Sequence, residues 1–134
     1  MSENYARAHG HIPPARIVAT AVSARTPETE GPVPATATRT VLTRAGLTLA
    51  DIDTFAGNEP FAAQILAYCT ELGLDPERMN PHGGSIALGE PYGAAGARLT
   101  TTALTTLRQD DLTTALITVV AGGQGMATLL ERTS

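Results

Sequence analysis

The sequence predicts an α/β domain whose elements follow the order β-α-β-α-β-α-β-β. Short apolar and β-branched runs alternate with segments of helical periodicity, and glycine or proline punctuates most of the junctions. Strands joined by helical crossovers are expected to pair in parallel, with helices on both faces of the sheet. A short glycine-rich turn separates the last two strands, so these should be antiparallel and the predicted five-stranded sheet mixed.

The first half of the chain contains several capping signals. Ser2 can cap a short helix that ends at Gly10, and Gly46 suits the position just after a helix. Thr48 and Asp51 resemble a small capping box before the second strand. The predicted elements are a lead-in helix over 2–8, a strand over 15–23, a loop over 25–34, a helix over 35–45 and a strand over 52–56.

In the second half, apolar residues recur at helical spacing after Pro60, and Gly73 ends that periodicity. The run TTALITVV at 113–120 is the strongest strand pattern in the chain. The predicted elements are a helix over 60–72, a loop over 80–84, a brief strand over 85–89, a helix over 91–107, and strands over 113–120 and 126–131.

Composition restricts the class of function. The 134 residues suit a single domain, and their net charge of −4 argues against a nucleic-acid partner because no basic stripe can neutralise phosphates. No apolar run is as long as a membrane span, and residues 1–4 lack the features of a secretion signal, so a cytoplasmic protein is expected. His9 and His11 have no third ligand near them in the sequence, so no metal site is predicted.

Three glycine-bearing loops, at 57–61, 83–91 and 121–125, are candidates for a functional site. Two of them directly follow predicted strands, and ligands bind at the carboxyl ends of strands in parallel α/β sheets. Taken singly, such a loop is more often a tight turn than a binding site. The single cysteine, Cys69, lies among apolar residues of a predicted helix, which favours a packed thiol over a nucleophile.

Four motifs link these loops. NPHGGSIALGEPYGAAGAR at 80–98 is similar to N-x-x-G-G-A-I-A-L-G-H-P-x-G-A-S-G-A-R, and NEPFAAQ at 58–64 is similar to N-E-A-F-A-A-Q. GGQGMA at 122–127 is similar to the end of C-x-G-G-G-Q-G-I-A, and GPVPAT at 31–36 matches G-P-V-P-A-T. These motifs resemble those of the thiolase family. The resemblance implies a single thiolase C-terminal-like domain over 1–134, with residues 1–14 as lead-in helix and linker.

The family builds its fold from two similar halves, each with a five-stranded mixed sheet, and the resemblance implies that this chain is one thiolase-fold half. It also implies that an N-terminal half supplies the nucleophilic cysteine and most coenzyme A contacts. Asn58 matches the asparagine that positions a water in an oxyanion hole, and the backbone N–H of Ala121 is an implied oxyanion donor. Phe61 and His82, in the matching loops, are the implied contacts to the pantetheine arm.

Two positions depart from the family's catalytic pattern. Glu90 replaces the histidine of G-H-P, and Val119 replaces the acid/base cysteine of C-x-G. An imidazole takes the proton of a thiol and then, as a cation, stabilises the thiolate, whereas an ionised carboxylate repels that thiolate. Glu90 is still the predicted acid/base residue, because hydroxymethylglutaryl-CoA synthases of the same fold use a glutamate in that role. Val119 cannot move a proton, which argues against the ordinary Claisen step of a thiolase.

Two hypotheses on function follow. In the first, the chain is the small subunit of a split thiolase-like enzyme that acts on acyl-CoA or acyl-carrier-protein thioesters, inactive alone and without a tightly bound cofactor. A thiolase N-terminal-half partner would bring the nucleophilic cysteine, so a hetero-oligomer is expected. In the second, the chain is a non-catalytic scaffold or regulatory subunit. Asn58 and the loop glycines favour the enzyme, whereas Glu90 and Val119 favour the scaffold.

Overall fold

A four-stranded mixed sheet forms the centre of the computed structural model, which describes residues 1–26 and 32–133. Its strands are β1 (Ala15–Ala24), β2 (Thr54–Gly57), β3 (Thr114–Ala121) and β4 (Gln124–Arg132), in the spatial order β1-β4-β3-β2. β2 and β3 pair in parallel, and β4 runs antiparallel to both β3 and β1. The predicted α/β class, the mixed sheet and the closing hairpin are confirmed.

The predicted number of five strands is wrong for the described residues, and the segment over 85–89 is the reason. Ser85–Leu88 forms a single helical turn, in which Leu88 N donates to Gly84 O at 3.0 Å. The side chains that suggested a strand are exposed, with Ile86 at 63% and Leu88 at 66%. The apolar pattern therefore marks a surface segment and not a buried strand.

The described residues form five α-helices, with short 3₁₀ turns at 49–51 and 76–78. The helices are α1 (Glu3–Ala8), α2 (Val33–Ala45), α3 (Ala62–Leu72), α4 (Ser85–Leu88) and α5 (Ala95–Gln109). α2 and α3 end at Gly46 and Gly73, as predicted. α5 begins at residue 95 and not 91, because Gly93 has a φ angle of +76°, which a helix cannot contain. Part of the predicted loop over 25–34, including Gly31 of the GPVPAT motif, lies outside the described residues.

The helical connection from β1 to β2 does not produce a neighbouring pair of strands. β1 and β2 lie at opposite edges of the sheet, with β4 and β3 between them. β3 takes a central position because most of its side chains are buried, whereas β1 has several exposed positions, as edge strands commonly do. Parallel pairing across a helical connection therefore holds for β2 and β3 only.

Two apolar clusters lie on opposite faces of the sheet. α2 and α3 pack on one face around Phe55, Leu116 and Leu129. α5 packs on the other face, where Leu99 and Ile117 belong to the second cluster. The adjacent residues 116 and 117 of β3 thus point to opposite faces, as strand alternation requires. α5 lies over β2 and β3, so within the described residues this second face is left uncovered over β1, where Val22 is 67% exposed.

Candidate functional site

Asn58 joins the carboxyl ends of the two parallel strands. Its Nδ2 donates to Val120 O at 3.0 Å, and Val120 N donates to its Oδ1 at 2.8 Å. The residue is only 7% exposed, and its own backbone N donates to Thr118 O at 3.1 Å. A primary amide has two N–H groups, so this pair with Val120 leaves one of them for a further acceptor. The asparagine therefore fixes the loop after β2 against β3, and its second side-chain N–H group can donate to a further acceptor.

Ala121 lies one residue beyond this amide pair. It is the exposed last residue of β3, directly opposite Gln124 across a two-residue turn. Val119 precedes the pair and is half-buried. The structure thus brings Asn58, Val119 and Ala121 together at one end of the sheet, although more than 60 positions separate Asn58 from the other two in the chain.

Glu90 follows α4 on the second of the three glycine-bearing loops. One of its carboxylate oxygens, Oε2, is buried and has no hydrogen-bond partner within the described ranges. The loop itself is held from the side of α5, where Arg98 Nη2 donates to Ser85 Oγ at 3.0 Å. Glu90 therefore has one carboxylate oxygen free to accept a hydrogen bond. It lies on a segment that the Arg98–Ser85 hydrogen bond attaches to α5.

The two implied pantetheine contacts lie in different places. Phe61 immediately precedes α3 and is 70% exposed, three residues after Asn58. His82 lies with its Nε2 3.4 Å from Asp110 Oδ2. Asp110 ends α5, shortly before β3 begins. Asn80, two residues before His82, is hydrogen-bonded to Gly57 next to Asn58, so the segment that carries His82 begins close to the amide pair.

Glu59 and Asn80 contribute contacts that the motifs alone did not reveal. Asn80 Nδ2 donates to Glu59 Oε1 at 2.5 Å, which links the first glycine-bearing loop to the segment just before the second. Both residues stand in the quoted motifs, but no role was inferred for either of them. The signal in the sequence is a carboxylate and an amide side chain in two motifs whose loops are expected to lie close together.

Cys69 is part of the core, as predicted. Its side chain is buried on the inner side of α3 and belongs to the same apolar cluster as Phe55. Burial, with a smaller contribution from the charge of Asp75, raises the pKa of this thiol. The neighbouring Tyr68 shares a hydrogen bond of 3.0 Å with Thr38, and burial raises the pKa of its phenol to about 12. Neither group is a nucleophile near neutral pH.

Incubation with acetyl-CoA should therefore leave Cys69 unmodified. A buried thiol with a raised pKa contains little thiolate, and the bulky thioester cannot reach it. Peptide mass spectrometry on the native protein measures the expected result, which is no acetyl adduct. Iodoacetamide in denaturant serves as the control, because it should label Cys69 once the chain is unfolded. A stable acetyl adduct on the folded protein would assign the nucleophile to this chain.

Neither a metal-binding cluster nor a membrane-spanning helix is found among the described residues. No group of three or more His, Cys, Asp or Glu side chains in these ranges is arranged to hold a metal ion. His9 instead stacks on Tyr5, with 4.0 Å between the ring centroids. None of the helices in the same ranges is long and apolar enough to cross a membrane.

The mixed sheet and the motif-bearing loops at its carboxyl edge define an α/β domain of the thiolase type. The chain belongs to the thiolase family, since the family model "Thiolase, C-terminal domain" matches residues 11–132. An acetyl-CoA acetyltransferase of Escherichia coli (strain K12) is 47% identical over 133 residues, which are 98% of this chain and 34% of that protein. A 3-ketoacyl-CoA thiolase of Aeromonas hydrophila is 46% identical over 136 residues, or 98% of this chain and 35% of that protein.

A solved structure agrees with these relatives. The crystal structure of the Bacillus anthracis acetyl-CoA acetyltransferase superposes with a TM-score of 0.94 at 39% identity, covering 99% of this chain and 34% of that one. The expected thiolase fold is therefore confirmed. The chain spans about a third of the length of the curated relatives it matches.

Proposed function

We propose that this chain supplies the C-terminal half of a thiolase-like active site that handles acyl-CoA or acyl-carrier-protein thioesters. The observation that carries the proposal is the Asn58–Val120 amide pair, which lies at the carboxyl edge of β2 and β3 beside Ala121. Membership of the thiolase family supports thioester chemistry. The free amide N–H supports an oxyanion site, because such sites are built from preorganised donors.

The proposed nucleophile is a cysteine of a second polypeptide, a thiolase N-terminal-half-like chain. Cys69 is the sole cysteine of this sequence and is buried, so it is unsuited to the role. Large apolar side chains on the loops of the site are exposed, which is typical of a surface that a partner covers. They are Phe61 at 70%, Ile86 at 63%, Leu88 at 66% and Tyr92 at 94%. A hetero-oligomer follows from this proposal.

In the proposed acyl transfer, Glu90 accepts the proton of the partner's cysteine, and the resulting thiolate adds to the thioester carbonyl. The backbone N–H of Ala121 and a water held by Asn58 stabilise the oxyanion that forms. The bond from the carbonyl carbon to the carrier sulfur then breaks. The acyl group stays on the cysteine, and the carrier thiolate takes the proton back from Glu90. Phe61 and His82 are the proposed contacts to the pantetheine arm.

A second candidate function is a scaffold that stabilises or regulates a thiolase-like partner. The observation that favours it is the loss of both proton-transfer residues of the family, with Glu90 and Val119 in their places. A scaffold needs the docking surface but no acid/base group. The two functions therefore predict the same assembly and different chemistry.

Assembly and turnover are tested together with a thiolase N-terminal-half protein encoded in the same genome. We expect a hetero-oligomer by light scattering, a higher melting temperature than either chain alone, and acetoacetyl-CoA or acetyl-CoA turnover only when both chains are present. A monodisperse monomer that gains no thermal stability on mixing contradicts the partner. Turnover by the partner alone, unchanged when this chain is added, favours the scaffold.

A further inference from the structure

Glu59 lies between two loops of the site and accepts hydrogen bonds through both carboxylate oxygens. Oε1 accepts from Asn80 Nδ2 at 2.5 Å, and Oε2 accepts from the backbone N of Ile86 at 2.9 Å. Glu59 directly follows Asn58, and Ile86 lies in α4, four residues before Glu90. One half-buried carboxylate thus connects the loop with the amide pair to the segment that leads to the predicted acid/base residue.

Asn80 is itself held as an extension of β2. Its backbone N donates to Phe55 O at 2.9 Å, and its Oδ1 accepts from Gly57 N at 2.9 Å. Its Nδ2 also donates to Gly57 O at 3.0 Å. The partner of Glu59 is therefore part of the sheet and not a mobile surface group. Through Glu59, α4 is attached to a rigid base.

Gly84 leaves the space that the Glu59 carboxylate occupies. A Cβ at this position would lie 2.5 Å from both Cδ and Oε2 of Glu59, and 2.6 Å from Asn80 Nδ2. The backbone of Gly84 has φ −112° and ψ −152°, which other residues also adopt. Glycine is needed here for space and not for its conformational freedom. The loop is built around the carboxylate.

We propose that Glu59 is a positioning residue that holds the loop bearing Glu90 in a fixed place relative to the loop bearing Asn58. A carboxylate accepts at two oxygens, whereas an amide accepts at one and would turn its NH₂ toward a donor. Glu59 therefore has no full substitute among the neutral side chains. The role of Glu90 rests on the proposed function, but the link from β2 to α4 through Glu59 does not.

The first test measures exchange of the Ile86 amide and Asn80 side-chain amide hydrogens by NMR in Glu59→Gln and in the parent chain. Glutamine has one acceptor oxygen and cannot serve both donors, so we expect either the Ile86 amide or the Asn80 side-chain amide to exchange about tenfold faster or more. Glu77→Gln removes the charge of an exposed glutamate in the turn over 76–78 and should leave both rates unchanged. Rates within about twofold of the parent at both amides in Glu59→Gln would overturn the proposal.

The second test uses Gly84→Ala and remains informative if Glu59→Gln folds poorly. In the parent chain the new Cβ meets the carboxylate, and we expect the melting temperature to fall by about 5 °C or more. In a Glu59→Ala background the carboxylate is gone, so Gly84→Ala should lower the melting temperature by less than half as much. Equal decreases in the two backgrounds would contradict the proposal, because the stability effects of substitutions at two residues in contact are not additive.

Turnover of the assembled complex gives the readout that a purely structural role would not move. Glu59→Gln should lower kcat about tenfold or more with KM little changed, because it displaces Glu90 without removing a substrate contact. Unchanged kcat in a complex whose exchange at Ile86 or Asn80 is faster would remove Glu59 from the site while leaving its structural link. If the parent complex itself is inactive, the proposed function fails, and the exchange and Gly84 results still decide the link.

Discussion

Glu90→Gln in the assembled complex should lower turnover by about 10²–10⁴-fold and leave assembly intact, which is the range that a general base contributes. Glutamine keeps the shape of the side chain but cannot accept the proton of the partner's cysteine. The buried Oε2 of Glu90 has no donor in the described residues, so little structural stabilisation is lost with the charge. Steady-state kinetics and light scattering on the same preparation measure the two effects.

Glu77→Gln is the matched control, because it makes the same change on an exposed turn remote from the three loops. It should alter neither turnover nor assembly. If Glu90→Gln keeps activity within about threefold of the parent complex, Glu90 is not the base, since a general base contributes far more. The scaffold would then be the better account of the chain.

Glu90→His combined with Val119→Cys should raise the thiolysis of acetoacetyl-CoA by the complex by about 10²-fold or more. The pair restores the imidazole and the thiol that the family motif has at these positions. Val119 is half-buried beside the Asn58–Val120 pair, so a cysteine there is close to the proposed oxyanion site. Cysteine is also smaller than valine, and the change should cost only about 1 kcal/mol of stability.

Val119→Cys alone should produce no such gain, because the carboxylate of Glu90 repels a thiolate that an imidazolium would stabilise. Glu90→His alone should give an intermediate rate. The double variant must also assemble with the partner, which light scattering checks. An assembled double variant that shows no gain would mean that the loops around Asn58 are not arranged for thiolase chemistry.

Local signals predicted much of the fold. Gly46 and Gly73 end helices because they adopt the left-handed conformation that a helix terminus needs. The run at 113–120 is the central strand because its β-branched and apolar residues can be buried on both faces. Cys69 is packed because it lies on the apolar side of a helix. Each of these outcomes depends on residues that are close together in the sequence.

Other features depend on contacts between distant residues. The segment over 85–89 has an apolar pattern that suits a strand, but it is a helical turn whose backbone donates to Glu59. His82 lies in a motif of the site, and its Nε2 is 3.4 Å from Asp110 Oδ2 at the end of α5, a contact that no motif predicts. Pattern and motif define which residues are present in a loop and leave open which neighbour each side chain meets.

The sequence by itself determined the α/β class, the three candidate loops and the identity of Asn58, Glu90 and Val119 at the motif positions. Only the tertiary structure decided that Asn58 pairs with Val120, 62 positions away, and that Glu59 connects β2 to α4. The physical reason is the range of the interactions. Helix caps and strand patterns are set by neighbouring residues, whereas the Asn58–Val120 pair forms only after the parallel pairing of β2 and β3 brings their carboxyl ends together. Glu59 likewise meets α4 only where Asn80 is hydrogen-bonded to Gly57.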